Sequence, residues 1–466
     1  MKFQIVGHAC LCVEASGKRL VVDPWIQGSV YWDAWWHCPE PVFDESLFRA
    51  DFIYLTHWHF DHIHRESLQR FDKSCHVLVP KFPVSSLPAQ LRDMGFTRIT
   101  EIAHGRAFPL APGFSLTSFQ IQYQDDSLCV IEADGRVLVD LNDAKPLPRT
   151  WKMLQRRYPR VDFMLRSHSP AWSYPSAYTF DDPADAIPVD KESYLKAFCA
   201  AARVLKPKYA VPFASSVCHL HAEVLHENEH VATALELAKY WAAHPLDGTT
   251  FQRMPHGSSW SSEGGFALRP GDDERDVAAY VARKTAELRT HLEATYARER
   301  DARVSFEEFE RFFRRLLLRI LPLRPFLDVR WLFVVRQGNA TDRWLVDVRR
   351  GRVERVEREP ERLTSRIEVH PAVLGEGIRD TVFTNIDISK RWRVHVGRGG
   401  MMKHLLMWVL VSVFEAGSME PGNVLRWRFF AGWFRRRSEL LDYLALARAM
   451  RSKDKAVAAQ AVTEPM

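Results

Sequence analysis

The sequence is most informative first in what it lacks. Only seven of its 466 residues are cysteine. They are scattered, odd in number and contain no C-x-x-C pair, which argues against a disulfide framework and for thiols buried in a reducing cytoplasm. The opening "MKFQIVGHACLCVEASGKRL" has no basic stretch followed by a long apolar one, so no secretory signal is expected. The apolar stretch "LLMWVLVSVF" at 405–414 is about half the length a membrane span needs, so no transmembrane segment is expected. No nucleic-acid-binding motif and no internal repeat is present, and nucleic acid is not an expected partner.

What remains is an ordinary globular composition, 46% hydrophobic and 26% charged, in a chain too long for one core. Two domains are therefore expected. The net charge of +6 is unevenly divided, with about +10 in residues 301–466 and about −4 in residues 1–300. Arginines beside aromatics and leucines, as in "RRLLLRI" and "WFRRRSE", fit amphipathic helices with solvated cations. They also fit an anionic substrate, an acyl-carrier partner or a membrane surface.

Residues 1–265 alternate short apolar runs with helical patterns. "RLVVDP", "DFIYLTH", "CHVLVP", "RVLVDLND", "VDFMLRSH" and "KYAVPFA" read as strands, and "RESLQRF", "PRTWKMLQRRY" and "KESYLKAFCAAARVL" as helices. That alternation predicts an α/β layered domain. Many of the strand-like runs end in a metal-capable side chain, namely Asp23, His57, Asp143 and His168, and strand ends are where α/β proteins assemble sites. A Gly/Ser-rich and then acidic stretch ends this domain, and residues 266–300 read as linker and helix. Residues 301–450 predict a smaller α+β domain, with helices near 401–415 and 425–449, and residues 451–466 a flexible tail.

The stretch "YLTHWHFDHIH" at 54–64 concentrates His57, His59, Asp61, His62 and His64. Neutral imidazoles and a carboxylate at this density are the donors a first-row divalent cation takes. His57 and His59, two apart in extended chain, project to one side, while Asp61 and His62 sit where the chain turns into a helix. The two pairs can thus face two cations.

His57-Trp58-His59-Phe60-Asp61-His62 resembles the H-x-H-x-D-H signature of the metallo-β-lactamase superfamily. The resemblance implies an αββα sandwich followed here by the smaller α+β domain. It also implies that Asp23 in "VVDPW" orients the ligand loop and that Asp143 in "VLVDLNDAK" is the bridging carboxylate. The blocks "VVDPWIQGSVYWDAWWHCPEP", "QDDSLCVIEADGRVLVDLNDAKP", "LKPKYAVPFASSVCHLH" and "RLTSRIEVHPAVLGEGIRDTVFTNIDIS" further resemble the CMP-N-acetylneuraminic acid hydroxylase family. That family implies a non-haem iron oxygenase.

The sequence also departs from that pattern. The hydroxylases carry a Rieske domain that feeds electrons from an iron–sulfur cluster. Here the lactamase-like strands begin at residue 3, and no C-x-H pair exists. Cys218-x-x-His221 alone cannot hold such a cluster. Gln122 stands where the third-motif histidine is expected, with Asp125 or Asp126 as substitutes. Ala214 follows the strand "YAVPF" where many relatives place a last histidine. His221 is the expected last ligand, with His219 as its competitor. His226 and His230 are expected on a solvated face, and His8 and His37 near the rim.

The expected metal ligands are thus His57, His59, Asp61, His62, Asp143 and His221, holding one or two divalent ions. Iron is favoured, zinc or manganese being the alternative. Asp61 and His168 are the expected catalytic groups, and "SPAWSYPSAY" at 169–178 is expected to wall the pocket with aromatics. The substrate is expected to be an anionic small molecule. Oxygenase chemistry would need a separate ferredoxin or Rieske donor. The alternative is a dinuclear hydrolase of an ester, lactone, thioester or phosphodiester. The second domain distantly resembles sterol-carrier-like domains.

Overall fold

The computed structural model describes residues 1–121, 126–271, 275–437 and 439–442. Two sheets stack face to face in the N-terminal half. The first has eight strands, in the order Gly265–Ala267, Ser259–Ser261, Lys2–Ile5, Leu11–Ala15, Lys18–Val22, Phe52–Tyr54, His76–Pro80 and Arg98–Ile102. The second has seven, in the order Thr250–Phe251, Tyr209–Pro212, Phe163–Arg166, Arg136–Asn142, Asp126–Ala133, Phe114–Ile121 and Arg106–Ala111.

Strand alternation explains the layering. In "DSLCVIEA", Cys129, Ile131 and Ala133 turn inward to meet Phe3, Leu11, Leu20 and Tyr54 of the facing sheet. Leu128 and Val130 turn outward to the helices Pro148–Arg157 and Lys191–Leu205. A strand covered on both faces must be apolar at consecutive positions, and this one is. Helices Arg65–Arg70 and Leu87–Asp93 cover the outside of the first sheet. The result is the expected αββα sandwich. The central hairpin closes through Asp134-Gly135, both at positive φ (51° and 72°), the backbone that a tight two-residue turn requires.

Beyond it lies the α+β unit, a six-stranded sheet with the helices Phe306–Arg319, Pro371–Arg379 and Met401–Glu415. Its edge strand is Tyr178–Phe180, supplied by the N-terminal half and paired in parallel with Trp392–Val396. Tyr174, Ala177 and Tyr178 are buried in the core of this second unit. The stretch 169–178 therefore divides. Ser169, Pro170 and Ala171 line the cavity described below, while the expected aromatic wall packs into the neighbouring domain instead.

Residues 266–300 are more than a linker. Helices Val277–Glu287 and Arg289–Arg300 bury Tyr280 and Leu292 against Trp36, Cys38 and Cys218. The expected helix near 401–415 is present, and Trp427–Arg435 is the described part of the one near 425–449. Residues 451–466 lie outside the described residues. Among the described residues, no helix is long and apolar enough to cross a membrane.

Candidate metal centre

The strands Lys18–Val22 and Phe52–Tyr54 run parallel, so their C-terminal ends emerge side by side. Asp23 follows the first with a positive φ of 44°, and Thr56 and His57 follow the second. Asp23 is fully buried and accepts four hydrogen bonds. Its donors are the Thr56 amide at 2.8 Å, Thr56 Oγ1 at 2.6 Å, Asn142 Nδ2 at 2.7 Å and His62 Nδ1 at 2.8 Å. An ionised carboxylate only accepts, so the proton on His62 lies on Nδ1 and Nε2 faces the cluster.

The turn at His59, whose carbonyl accepts from the His62 and Ile63 amides, brings Asp61 and His62 back toward His57. His57 Nε2 lies 2.9 Å from His59 Nδ1, and its Nδ1 lies 3.0 Å from Thr56 Oγ1. Asp143 enters from the end of the strand Arg136–Asn142, with Oδ1 3.7 Å from His62 Nε2 and Oδ2 3.9 Å from His57 Nε2. Asp126 Oδ1 approaches His57 Nδ1 to 3.6 Å. Asp61 accepts from the Tyr31 hydroxyl through Oδ1, and its Oδ2 lies 3.2 Å from both His8 Nε2 and His62 Nε2.

Two sets of donors converge within 4.8 Å: His57, His62 and Asp143, and His8, Asp61 and His62. His62 Nε2, Asp143 Oδ1 and Asp126 Oδ1 are buried with no hydrogen-bond partner among the described residues. Leaving such atoms unmatched is costly unless something else binds them. Nitrogen and carboxylate oxygen atoms aimed at a shared point fit a divalent cation of the zinc, iron or manganese kind.

The electrostatics agree. Burial disfavours a charged His62, yet the carboxylates of Asp61, Asp143 and Asp23 outweigh it and hold the imidazole well above its ordinary 6.5. Burial likewise opposes ionised Asp61 and Asp143. His62 and His8 outweigh it for Asp61, and His57 and His62 for Asp143, so both carboxyls fall below their usual range. Burial and the nearby Asp143 charge push Asp126 up. His57 and His59 are driven down by burial and are neutral, as ligands must be.

The cluster opens on a cavity of about 40 Å³ lined by His8, Trp35, Asp61, Asp143, Lys145 and Arg166 among others. His57, His59, Asp61, His62 and Asp143 thus converge where the sequence motif leads one to expect. His221 does not join them. It caps the short helix Ala222–His230, its Nδ1 accepting from the Glu223 amide, and its Nε2 pairs with Glu299 at 3.2 Å. That acidic partner, on the helix Arg289–Arg300 far away in sequence, draws the imidazole away. His219 is also diverted, its Nδ1 donating to the Ala34 carbonyl at 2.9 Å. His64 caps the helix Arg65–Arg70.

His168 is buried with its amide donating to Ser215 Oγ at 2.9 Å. Ser167 and Ser169 line the cavity on either side of it, but His168 is not among the lining residues. Burial drives its imidazole down to about 3, so it is neutral near pH 7. Gln122 and Asp125 lie outside the described residues. Sequence reasoning missed Tyr31 and Asn142 as site residues, and placed His8 only near the rim. The available signal was position, since His8 lies three residues after the strand Lys2–Ile5 and Asn142 precedes Asp143.

Residues 2–126 match the family model described as "Beta-lactamase superfamily domain". The chain is 29% identical over 246 residues to a Mycobacterium tuberculosis protein named as a Rieske 2Fe-2S iron-sulfur protein, covering 49% of this chain and 46% of that one. It is 23% identical over 235 residues to cytidine monophosphate-N-acetylneuraminic acid hydroxylase of Danio rerio, covering 46% of this chain and 38% of the hydroxylase. The chain thus spans less than half the length of these curated relatives. Isothiocyanate hydrolase from Delia radicum gut bacteria superposes with a TM-score of 0.41 at 16% identity, covering 56% of this chain and 98% of that one. Residues 2–126 thus form a domain of the beta-lactamase superfamily.

Proposed function

We propose that this protein is a metal-dependent enzyme that oxidises a small anionic substrate with dioxygen, using iron and electrons from a centre outside these 466 residues. The observation that supports metal dependence is the convergence of His57, His59, Asp61, His62 and Asp143 around unmatched buried atoms. Similarity to a named hydroxylase and a Rieske-named protein favours oxidation. When bound, an iron ion would supply Lewis acidity and one-electron redox chemistry. No C-x-H pair occurs in the sequence, so a ferredoxin or Rieske centre elsewhere is the proposed donor.

The chain's own residues prepare the site around that ion. Arg166 is permanently cationic and lines the cavity together with Lys145, so the pair would attract an anionic group to the cluster. Burial lowers Lys145, and the charges of Asp143 and Asp126 counter part of that effect. Burial and the Asp143 charge push the Asp126 carboxyl up, and its Oδ1 stands 3.6 Å from His57 Nδ1. Asp61, held by Tyr31, orients the cluster, and His168 supports the cavity wall through the Ser215 contact.

The second reading is hydrolysis of an ester, lactone, thioester or phosphodiester with zinc or manganese. One observation favours it: hydrolysis needs no electron donor, and the sequence contains no motif for one. Metal analysis of protein purified without added metal separates the readings. Iron, with substrate-dependent oxygen uptake when a reduced ferredoxin is supplied, supports oxidation. Tightly held zinc with turnover of a simple ester overturns it.

A further inference from the structure

The cluster contains more donors than the sequence motif supplies, and they divide unequally. His62 has one nitrogen to give, because Nδ1 is committed to Asp23. It therefore cannot serve both donor sets at once. If His57, His59 and Asp143 form one site, the other has Asp61, His62 and one vacancy. His221 and His219, the histidines the sequence offers for it, are bound elsewhere, to Glu299 and the Ala34 carbonyl.

We propose that His8 fills this vacancy and, with Asp61 Oδ2 and His62 Nε2, forms a second cation site. The inference rests on the metal-dependent reading above. His8 Nε2 and His62 Nε2 each lie 3.2 Å from the same oxygen, Asp61 Oδ2. Two donors about 2.0–2.2 Å from one ion stand roughly 3.0–3.6 Å apart, so the spacing already suits a shared ligand sphere. The carboxylate is divided in the same sense. Tyr31 holds Oδ1 and leaves Oδ2 turned toward both imidazoles.

Position in the fold explains why a residue so early in the chain reaches this point. The His8 carbonyl accepts the Ala214 amide at 2.9 Å, so His8 stands beside the second residue after the strand Tyr209–Pro212, where the side chain is only a methyl group. Its ring is 3% exposed and packs edge-on against Trp25 and Trp35 at 5.5 and 6.2 Å. The loops after one strand of each sheet are thus joined at His8 and Ala214. The two strand ends are far apart in sequence, so local pattern cannot reveal the pairing.

The test is titration of the metal-free 466-residue protein with Co(II), read by visible absorption and by dialysis with metal analysis. Wild type is expected to take up two ions of unequal affinity. His8→Ala is expected to keep the first event and lose the second, and added imidazole is expected to restore it. His8→Gln, which preserves bulk and a contact to Asp61, is expected to weaken the second event by roughly tenfold or more and guards against misfolding in the alanine variant. Circular dichroism checks the fold of both. Two ions bound with unchanged affinity in both variants overturns the role of His8 while leaving metal dependence standing. A single ion in wild type overturns the second site. No ion at all overturns both.

Discussion

His62 donates its Nδ1 proton to Asp23 Oδ2 across 2.8 Å, and both side chains are completely buried. The same carboxylate also ties down Thr56 and Asn142, so one aspartate fixes three segments of the cluster. Asp23→Ala is expected to leave four buried donors without an acceptor and to cost about 3–5 kcal/mol, read by urea denaturation. Asp23→Asn preserves shape but offers His62 a poorer acceptor. It is expected to cost less stability while weakening cation binding by roughly 10–100-fold, read by calorimetric titration.

The proton on His62 and a cation compete for the same nitrogen. Because its folded-state pKa is raised above 6.5, the stabilisation that His62 gives the metal-free protein is fully present below that value. It is lost as pH rises through the folded pKa. Metal-free protein is therefore expected to become easier to unfold above pH 6.5. Loading with zinc or iron is expected to release protons, and the metal is expected to bind more tightly as pH rises. Calorimetry in two buffers of different ionisation enthalpy measures the release. An absence of buffer dependence contradicts the assignment of His62 as ligand.

The boundary between legible and hidden in this sequence follows sequence distance. His57, His59, Asp61 and His62 were readable because one turn after one strand carries them all, and Asp143 because it ends a hairpin strand. The strand alternation likewise made an α/β layered domain visible, and the motif resemblance implied its αββα order. Tyr31 was not readable and His8 was placed only near the rim, since only the packing of separate segments brings them to Asp61. His221 misled because the hydroxylase resemblance favoured it, whereas Glu299, 78 residues away, determines where it points. The strand Tyr178–Phe180 was similarly hidden, because it completes a sheet whose other members begin at residue 330.

Asp387 joins the two domains and should make their docking sensitive to pH. It is 1% exposed, accepts from the Ser173 amide at 3.2 Å and from Ser173 Oγ, and faces Lys390 and Lys145. Burial raises its carboxyl from 3.8 to about 6, the serine bonds and lysines countering part of that rise. A raised folded-state pKa means that its stabilising effect is present below 3.8 and lost as pH climbs through about 6. A shift of about two units corresponds to at most roughly 3 kcal/mol. Asp387→Asn is expected to flatten the decline in stability between pH 4 and 7, measured by urea midpoints across that range.

The same interdomain surface reaches the metal cluster through Arg391. This guanidinium is 0% exposed and donates to both Glu299 oxygens at 2.7 Å, to Glu223 at 2.9 Å and to the Trp32 carbonyl at 2.9 Å. Trp32 is the centre of three consecutive residues, Tyr31 to Asp33, at φ of 57°, 57° and 58°. Each such non-glycine residue costs roughly 1–2 kcal/mol, so the turn persists only because its surroundings hold it. Asp33 is anchored by Ser29, His291 and Thr295, and Arg391 holds the carbonyl between. The strained turn in turn keeps the Tyr31 hydroxyl on Asp61. Removing Arg391 also strips Glu299, whose carboxyl burial would raise but which His221 and Arg391 together hold down at about 2. A depressed pKa gives stability present above 4.5 and lost as pH falls through about 2, so Arg391→Ala is expected to unfold at a higher pH in acid titration. The variant is expected to lose about 3–5 kcal/mol at neutral pH. Cation binding should weaken with it even though no ligand has changed. Arg391→Lys, which keeps the charge but cannot span all these acceptors, is expected to fall between the two. Normal metal affinity in a folded Arg391→Ala protein would show that the turn holds Tyr31 in place without help from the second domain.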